Sequence, residues 1–275
     1  MKKVAIELHS GLGNQIFMIF NLLSYYIDYC DDFLIYYNTS RMPKYYWNNM
    51  FLELKDKISN KCDITNIYEE IEFNYKKIPE YENDILLKGF FQSDKYFKHN
   101  INKIKKYLNI DDKISTIRNE YPEYFNRKTI SLHFRIGDYY FLQERHPIKT
   151  LSYYLKSFKK LQDNNINLSE YNILVFCQEC DNNIANEYLK HINNNFPNLN
   201  YKKVADNIPD WKQLLLMCSC DNYIIANSTF SWLGAYLSVN KEAVKIAPEK
   251  WFGEYYNDKK THDLIPPEDW ILIND

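Results

Sequence analysis

Glycine is scarce in this chain, with six glycines among 275 residues. All but one of them lie in four short segments, which are residues 10–15, 89–97, 133–139 and 227–236. Glycine is needed where the backbone takes a positive φ angle or passes close to another group. A chain that otherwise avoids glycine but keeps it in these segments is expected to shape loops around a ligand there.

Long apolar runs are absent as well. No stretch approaches the roughly 20 apolar residues that a membrane-spanning helix requires. The first apolar run begins at Val4 and is interrupted by Glu7. It therefore predicts a first β-strand and not a signal peptide. We expect a cytoplasmic protein without a transmembrane segment.

The chain also lacks an excess of charge of either sign. Lysine and arginine number 34, aspartate and glutamate number 36, and the formal net charge is −2. Nonspecific binding to nucleic acids or to anionic membranes depends on a positive excess. We therefore expect no nucleic-acid partner, although a local positive site for a phosphate is compatible with this balance.

The six cysteines raise the question of zinc or disulfides. Cys177 and Cys180 form a Cys-x-x-Cys pair, and Cys218 and Cys220 form a Cys-x-Cys pair. A four-thiolate zinc site is usually built from two pairs with compatible spacing, and Cys-x-Cys is a poor second half. Reduced and mostly buried thiols are the preferred interpretation.

Short β-prone runs alternate with longer amphipathic segments, which predicts an α/β fold with parallel sheets. The predicted strands are 4–8, 33–36, 85–87, 129–134, 173–176, 201–204, 223–226 and 243–246. The predicted helices are 15–29, 94–107, 112–121, 150–163, 182–194, 210–218 and a segment from 229 to 238. Residues 40–83 show no clean period. The two series, joined around 122–128, predict two Rossmann-like halves that face each other.

Residues 10–15 read Ser-Gly-Leu-Gly-Asn-Gln and lie between a predicted strand and a predicted helix. That is the position of a phosphate-binding turn. The segment is neither a P-loop nor a complete G-x-G-x-x-G motif, so a simple tight turn is equally compatible with it. Asn14 and Gln15 supply uncharged donors for an oxyanion or a sugar hydroxyl.

Residues 133–139 read His-Phe-Arg-Ile-Gly-Asp-Tyr at the end of a predicted strand. His133 and Arg135 are two residues apart and share one side of that strand. An arginine here can bind a diphosphate through two N–H groups and offset the charge that grows as the diphosphate leaves. Two alternatives remain: Arg135 and Asp138 form a structural ion pair, and His133 is a hydrogen-bonded core histidine.

Residues 227–231 read Asn-Ser-Thr-Phe-Ser at the start of a predicted helix. A serine or threonine there can cap the helix, and the same free N–H groups can bind a phosphate. Four small polar groups exceed what capping needs, which favours phosphate. Residues 89–97 carry aromatic side chains around a candidate cap at Ser93 or Asp94, and we expect them to support the site by packing.

In their order and spacing, these segments resemble the alpha-1,2-fucosyltransferase family. The family starts with Gly-Gly-Leu-Gly-Asn-Gln-Met-Phe, and residues 10–17 here read Ser-Gly-Leu-Gly-Asn-Gln-Ile-Phe. Its Gln-Ser-x-Lys-Tyr-Phe motif is similar to residues 92–97. Its His-x-Arg-Arg-Gly-Asp-Tyr and Asn-Ser-Ser/Thr-Phe-Ser-Trp-Trp-Gly-Ala motifs are similar to residues 133–139 and 227–235.

The resemblance implies a GT-B fold, in which two Rossmann-like domains face each other across a cleft. It implies an acceptor-side domain at 1–125 and a nucleotide-sugar-binding domain at 126–275. The donor would be GDP-β-L-fucose, transferred with inversion to O2 of a galactose in a glycan, with no metal or other cofactor. The enzyme would be free in the cytoplasm or peripheral to a membrane where glycans are assembled.

By the same resemblance, Arg135 would hold the diphosphate, Asn14 would lie on the donor side of the cleft, and the hydroxyls after Asn227 would lie near the phosphates. The predicted donor-binding residues are Gly11, Gly13, Asn14, His133, Arg135, Asp210, Asn227, Ser228, Thr229 and Ser231.

Three positions depart from the family pattern: Ile136 replaces the second motif arginine, Ser10 replaces the first glycine, and Leu233 replaces the second tryptophan. One positive charge expected near the diphosphate is therefore missing. The family often carries acidic residues before its Leu-Met pair, and Asp210 is the candidate here for reading guanine.

The predicted catalytic residues are Arg135, Asp138 and Glu144. Arg135 would stabilise the departing diphosphate, and Asp138 or Glu144 would accept the proton of the acceptor hydroxyl. His9 is a further candidate for that base. Two alternatives to fucosyl transfer remain: a glycosyltransferase with another sugar-nucleotide donor, and a protein that binds nucleotide sugars or glycans without turnover.

Overall fold

The computed structural model describes residues 1–37, 44–71, 73–256 and 269–275. These residues form two compact units. Unit 1 comprises residues 1–113, and unit 2 comprises residues 114–256 and 269–275. The division falls inside the helix α3 (Ile110–Glu120), whereas the sequence predicts a boundary between residues 125 and 126. No helix in the described part of the chain is long and apolar enough to cross a membrane.

Unit 1 is built on a five-stranded sheet in the order β3-β2-β1-β5-β4, and all of its strand pairs are parallel. The strands are β1 (Lys3–Glu7), β2 (Asp32–Tyr36), β3 (Ile58–Ser59), β4 (Ile67–Glu69) and β5 (Ile85–Lys88). The helices are α1 (Leu12–Tyr29) and α2 (Ile101–Tyr107).

The core of unit 1 lies around its central strand and the first half of α1. Val4, Ala5 and Ile6 of β1 are fully buried, because a central strand of a covered parallel sheet has no solvent face. Phe97 packs on α1, with ring centroids 5.8 Å from Phe17 and 5.3 Å from Phe20. The aromatic segment that begins at residue 89 thus supports the unit by packing, as predicted.

Unit 2 is built on a six-stranded parallel sheet in the order β11-β10-β9-β6-β7-β8. The strands are β6 (Lys128–His133), β7 (Tyr171–Phe176), β8 (Asn200–Lys203), β9 (Asn222–Ile224), β10 (Lys245–Pro248) and β11 (Ile271–Ile273). The helices are α4 (Leu151–Asp163), α5 (Asn182–Asn195), α6 (Asp210–Cys218) and α7 (Thr229–Tyr236).

Two tyrosines of α4 join the helix to the sheet in unit 2. Tyr153 and Tyr154 are buried, and burial raises the pKa of both phenols well above the usual value. The Tyr153 hydroxyl donates to the carbonyl of Ile225 at 2.6 Å, and the Tyr154 hydroxyl donates to that of His133 at 3.1 Å. Each phenol satisfies a buried polar group while its ring fills the core.

The α/β class and the alternation of strands and helices are confirmed in both units. Three strands that the sequence does not predict are present: β3, β4 and β11. Each has only two or three residues, which is too short for an alternating pattern to be recognised. The helix predicted to start at residue 94 begins only at Ile101, after two short 3₁₀ turns.

Each sheet contains one point where the direction of the strand crossovers reverses, which we call its switch point. In unit 1 the chain builds β2 and β3 on one side of β1 and places β5 and β4 on the other. In unit 2 it builds β7 and β8 on one side of β6 and places β9, β10 and β11 on the other. Ligands of open α/β sheets bind beyond the carboxyl ends of the strands at such points.

Candidate functional site

The switch point of unit 2 brings together two of the glycine-bearing segments. β6 ends at His133, β9 ends at Ile224, and the two strands are neighbours with Leu132 opposite Ile224. The loops that follow, which carry Arg135 and Ser228, therefore start from the same edge of the sheet. This adjacency links segments that are far apart in sequence.

His133 is buried, with 6% of its surface exposed, and its Nδ1 atom has no hydrogen-bond partner within the described residues. Burial and, to a smaller extent, the positive charge of Arg135 lower the pKa of this imidazole to about 3. The ring is therefore neutral at physiological pH. A buried polar atom normally has a hydrogen-bond partner. Because Nδ1 has none, His133 does not match the alternative of a hydrogen-bonded core histidine, and Nδ1 is available for a hydrogen bond to a ligand.

Arg135 carries the positive charge at this edge. Its Nη2 atom lies 2.5 Å from Oδ1 of Asp138, and its guanidinium carbon lies 4.8 Å from the centre of the Tyr139 ring. The ion pair considered from the sequence is thus present. The Asp138 side chain is 61% exposed, and an ion pair so open to solvent stabilises little. Arg135 has five N–H donors, so binding a diphosphate would require little rearrangement.

Ile136, at the position of the second motif arginine, points away from this charged edge. Its side chain is 4% exposed and belongs to the apolar core of unit 2. The motif therefore contributes one guanidinium here, and the neighbouring side chain contributes to packing.

Gly137 and Asp181 fix the loop that carries Arg135. Gly137 has a φ angle of 32°, in the region that favours glycine. Its N–H donates to Oδ1 of Asp181 at 2.9 Å. Asp181 is 3% exposed, and its second oxygen has no partner among the described residues. Asp181 is not among the site residues predicted from the sequence, although its position after β7 and before α5 is a signal that points to it.

The N-terminus of α7 follows the loop after β9. Ser228 is the N-cap residue with an extended backbone, and its side chain makes no capping hydrogen bond. The N-terminus of a helix carries a partial positive charge, which attracts phosphates. Ser228 is 8% exposed, so it lies at the border between core and surface.

Two other polar residues of this segment serve the loop itself. The Ser231 hydroxyl is fully buried and donates at 3.3 Å to the carbonyls of Ala226 and Ser228. The Asn227 amide donates at 3.0 Å to the carbonyls of Pro147 and Trp251. The Oδ1 atom of Asn227 has no hydrogen-bond partner in the described segments. The predicted contact of Asn227 with the donor substrate stays a prediction. The predicted donor contact of Ser231 also stays a prediction, and its hydroxyl is bonded within the loop.

Asp210 and Glu144 lie apart from Arg135 along the sheet and the chain. Asp210 opens α6 after β8, with β7 between β8 and β6, and its Oδ1 accepts the N–H of Trp211 at 2.8 Å. Glu144 is exposed, and its carbonyl accepts the N–H of Tyr255 at 2.9 Å. Gly253 is necessary there, because a Cβ atom would lie 2.2 Å from that carbonyl oxygen.

The expectation that glycines shape ligand loops holds only in part. A Cβ atom at Gly234 would lie 2.4 Å from Sδ of Met217, so this glycine allows α6 and α7 to pack closely. A Cβ atom at Gly11 would meet nothing within 4 Å. The positive φ angle of the first turn belongs instead to Ser10, at 65°, which is the position where the family pattern has glycine.

The switch point of unit 1 also joins two glycine-bearing segments. Gln92 donates from Nε2 to Oδ1 of Asn14 at 2.7 Å, which ties the segment after β5 to the start of α1. Gly13, like Asn14, lies in the first turn of α1, and Gly13 is buried. The Gln15 amide donates to the Ser10 carbonyl at 2.7 Å. Among the described residues, amide groups are the main hydrogen-bonding side chains at the start of α1.

His9 lies between β1 and the glycine-bearing turn. Its ring meets Phe90 edge to face at 4.7 Å, and its Nδ1 lies 3.0 Å from the Ser10 hydroxyl. Burial lowers the pKa of His9, although Glu7 acts in the opposite direction. The imidazole is therefore neutral near pH 7 and can accept a proton.

Glu70 fixes the loop after β5, which carries Phe90 and Phe91. Its Oε2 accepts the N–H groups of Phe90 and Phe91 at 2.7 and 2.8 Å. Gly89 has a φ angle of 150°, and a Cβ atom there would lie 2.4 Å from Cβ of Glu70. Glycine is thus required for the close approach that positions Phe90 beside His9.

Residues 54–274 match Glycosyl transferase family 11. The chain belongs to this family. The resemblance to fucosyltransferases that the motifs indicate is thereby confirmed. The protein is a glycosyltransferase, with a nucleotide sugar as donor and a glycan as acceptor.

Two curated proteins of Escherichia coli are similar to this glycosyltransferase. One is named O-antigen biosynthesis glycosyltransferase WbnK and is 28% identical over 224 residues, which cover 78% of this chain and 68% of that protein. The other is named Alpha-1,2-colitosyltransferase and is 27% identical over 190 residues, which cover 66% of this chain and 61% of that protein. The chain thus spans about two thirds of the length of these relatives.

Among solved structures, that of E. coli ADP-heptose lps heptosyltransferase II superposes with a TM-score of 0.50 at 12% identity, covering 99% of this chain and 90% of that one. At this identity the likeness concerns the fold alone. It agrees with two Rossmann-like units, and the GT-B class predicted for the glycosyltransferase is confirmed.

Proposed function

We propose that this glycosyltransferase transfers L-fucose from GDP-β-L-fucose to O2 of a galactose, with inversion at the anomeric carbon and without a metal ion. The observation that carries the proposal is the switch point of unit 2, where Arg135 and the start of α7 follow adjacent strands. The motif resemblance to alpha-1,2-fucosyltransferases adds the identity of the sugar and the linkage.

Unit 2 is the nucleotide-sugar side in this proposal. Arg135 binds the diphosphate through its guanidinium, and the backbone amides after Ser228 bind a second phosphate oxygen. The neutral His133 offers a hydrogen bond and no charge. Asp210 reads guanine, farther along the sheet towards β8.

Leaving-group stabilisation is the main catalytic contribution of unit 2. As the bond between fucose C1 and the diphosphate oxygen breaks, negative charge grows on the diphosphate. Arg135 and the dipole of α7 are already oriented before the reaction, so they stabilise this charge without reorganisation. Fixed positive groups of this kind replace the cation that other glycosyltransferases use, which is why we propose metal independence.

Unit 1 is the acceptor side, and we assign the base to His9 in preference to Asp138 and Glu144. Asp138 already pairs with Arg135, and a proton on its carboxylate would weaken that pair. His9 is neutral, half-buried and held by Ser10 and Phe90. It follows β1 at the edge where ligands bind in this class of fold.

The direct test incubates the pure protein with GDP-fucose and either lactose or N-acetyllactosamine in the presence of EDTA. We expect release of GDP and a product heavier by one deoxyhexose. The same rate after addition of Mg²⁺ or Mn²⁺ would support metal independence. A reaction that requires the cation would refute this part, and the absence of product under every condition would refute the donor or the acceptor.

His9 has its own test. The His9→Ala variant should lose roughly 10²- to 10⁴-fold in kcat while it retains GDP affinity. In the wild type, kcat should fall only at pH values below 6.5, because the pKa of His9 is lowered from that value. That acid limb should be absent from the residual activity of the variant. Unchanged kcat in His9→Ala would return the base to Asp138 or Glu144.

A second donor is favoured by one observation, the similarity to a protein named Alpha-1,2-colitosyltransferase. A panel of GDP-fucose, GDP-colitose, GDP-mannose and UDP-galactose separates the candidates by kcat/KM. We expect the highest value for GDP-fucose. A higher value for GDP-colitose would move the assignment to that sugar, and GDP binding without transfer from any donor would leave a binding protein.

A further inference from the structure

Unit 1 contains a cavity that the proposed reaction does not use. Its volume is about 560 Å³, and it lies between the second half of α1, residues 75–78 and residues 95–99. The end of α1 is beside the start of β1, because the N–H of Asp31 donates to the carbonyl of Lys2 at 2.8 Å. The cavity therefore extends from α1 towards the edge of the sheet opposite the switch point.

The most informative residue of this cavity is Asn21. Its side chain is 2% exposed, lines the cavity, and has no hydrogen-bond partner for Nδ2 within the described residues. A buried donor without a partner destabilises a protein. A ligand that accepts this hydrogen bond would remove the penalty.

The neighbouring polar groups are well paired, which makes Asn21 an exception. Asn100 donates from Nδ2 to Oδ1 of Asp28 at 2.7 Å and to the Ser24 hydroxyl at 3.2 Å. His99 contacts the other oxygen of Asp28 at 2.8 Å. This network holds Asp28 and Ser24 in fixed positions along one face of α1, so the polar wall of the cavity is preorganised.

Aromatic rings form the rest of the wall. Tyr75 and Tyr96 meet edge to face at 4.9 Å, and Tyr25 and Tyr29 meet at 5.0 Å. The Tyr25 hydroxyl donates to the carbonyl of Pro79 at 3.0 Å and accepts the N–H of Tyr81 at 3.2 Å. The cavity thus presents rigid aromatic surfaces next to amide, hydroxyl and carboxylate groups.

We propose that this cavity binds a pyranose unit of a glycan, separate from the unit that reacts. A pyranose has apolar C–H faces that pack on aromatic rings and equatorial hydroxyls that bond to amides and carboxylates, and the cavity offers both. Charges of both signs line it, with Asp28 as well as Lys77 and Lys95.

The distance along α1 separates this site from the site of transfer. Asn21 follows Asn14 by two helical turns, or about 10 Å, and lies on the same side of the helix. The inference rests on the proposed function, since a glycan acceptor must be present. It adds that the enzyme holds its glycan at a second point, so longer acceptors should bind more tightly than disaccharides.

The test is direct binding, which does not depend on transfer. Lactose, N-acetyllactosamine, a tetrasaccharide of two N-acetyllactosamine units and a mannose trisaccharide are titrated into ¹⁵N-labelled protein. The side-chain amide signal of Asn21, assigned by its absence from Asn21→Leu, should shift on binding. Calorimetry should show that Asn21→Leu and Tyr75→Ala weaken tetrasaccharide binding at least tenfold.

Matched control variants are available in the same unit. Asn102 is exposed on α2, and Tyr107 is 42% exposed, so Asn102→Leu and Tyr107→Ala make the same chemical changes outside the cavity. They should leave binding unchanged. Tyr75→Ala keeps the test valid if Asn21→Leu does not fold, as checked by thermal unfolding.

The outcomes distinguish this inference from the proposed function. Binding of no saccharide by the wild type, or equal binding by the cavity variants, overturns the inference even if fucose is transferred. A shifted Asn21 signal and weakened binding in both variants support it even if GDP-fucose is not the donor.

Discussion

The two switch points share one topology but carry different chemistry. Each lies between the first strand of its unit and a strand that enters from the other side of the sheet. In unit 2 the loops there hold Arg135, Asp138 and a buried Asp181, whereas in unit 1 they hold the amides of Asn14 and Gln92. The unit 2 edge thus presents an arginine in a solvent-exposed ion pair, whereas the unit 1 edge presents amide groups beside the Glu7–Lys88 ion pair.

The largest expected effect concerns Arg135. Since it supplies the positive charge of the unit 2 edge, Arg135→Ala should lower kcat by about 10²- to 10³-fold with GDP-fucose. Asn14→Ala, at the corresponding edge of unit 1, should lower both kcat and GDP affinity less than Arg135→Ala does. Steady-state kinetics measure kcat and calorimetry measures GDP affinity for the two variants. Thermal unfolding checks that both are folded. If both variants lost GDP affinity to the same extent, the assignment of the nucleotide side to unit 2 and of the acceptor side to unit 1 would be wrong.

Ile136→Arg should restore the family motif and yet destabilise the protein. The side chain at this position is in the core of unit 2, and an unpaired charge placed there lowers the free energy of unfolding by about 3 kcal/mol or more. Ile136→Leu is the control and should lower it by less than about 1.5 kcal/mol. Denaturant unfolding measures both, and a stable, more active arginine variant would contradict the buried orientation.

Acid should destabilise unit 2 through His133. Its pKa is about 3 in the folded protein and about 6.5 when unfolded, so only the unfolded state gains a proton between these values. The free energy of unfolding should therefore fall by about 1.4 kcal/mol for each pH unit below 6.5. His133→Gln should remove this part of the pH dependence in denaturant titrations between pH 7 and pH 4.5. An identical slope in the variant would assign acid sensitivity to other groups.

The smallest expected effect is at Ser10. Its φ angle of 65° disfavours any residue with a Cβ atom, so Ser10→Gly should raise the free energy of unfolding by about 0.5–1 kcal/mol. Ser10→Ala keeps the strain and loses the contact with His9, and should be less stable than the wild type. The order Gly, Ser, Ala by thermal unfolding tests the strain. Its reversal would indicate that the contact with His9 outweighs the strained backbone.

Much of the fold could be predicted from the sequence, because central strands such as β6 and long helices such as α4 have clear apolar patterns. The charged cluster at residues 133–139 was also visible, since its residues are adjacent in the chain. Asp181 was not, because only the pairing of β6 with β7 brings it to Gly137. The burial of Ser231 and Ile136 depends on which way each loop turns, which no local pattern determines.

The bond between the Gly137 N–H and Asp181 has a consequence for how such enzymes diverge. The loop that presents Arg135 is anchored through the main-chain N–H of Gly137, whose φ angle of 32° favours glycine, and this bond involves no side chain of the neighbouring loop residues. Side chains in this loop can therefore change during evolution, as at Ile136, without displacing the arginine. Variation in donor preference can accumulate around a phosphate contact whose position does not depend on its neighbours.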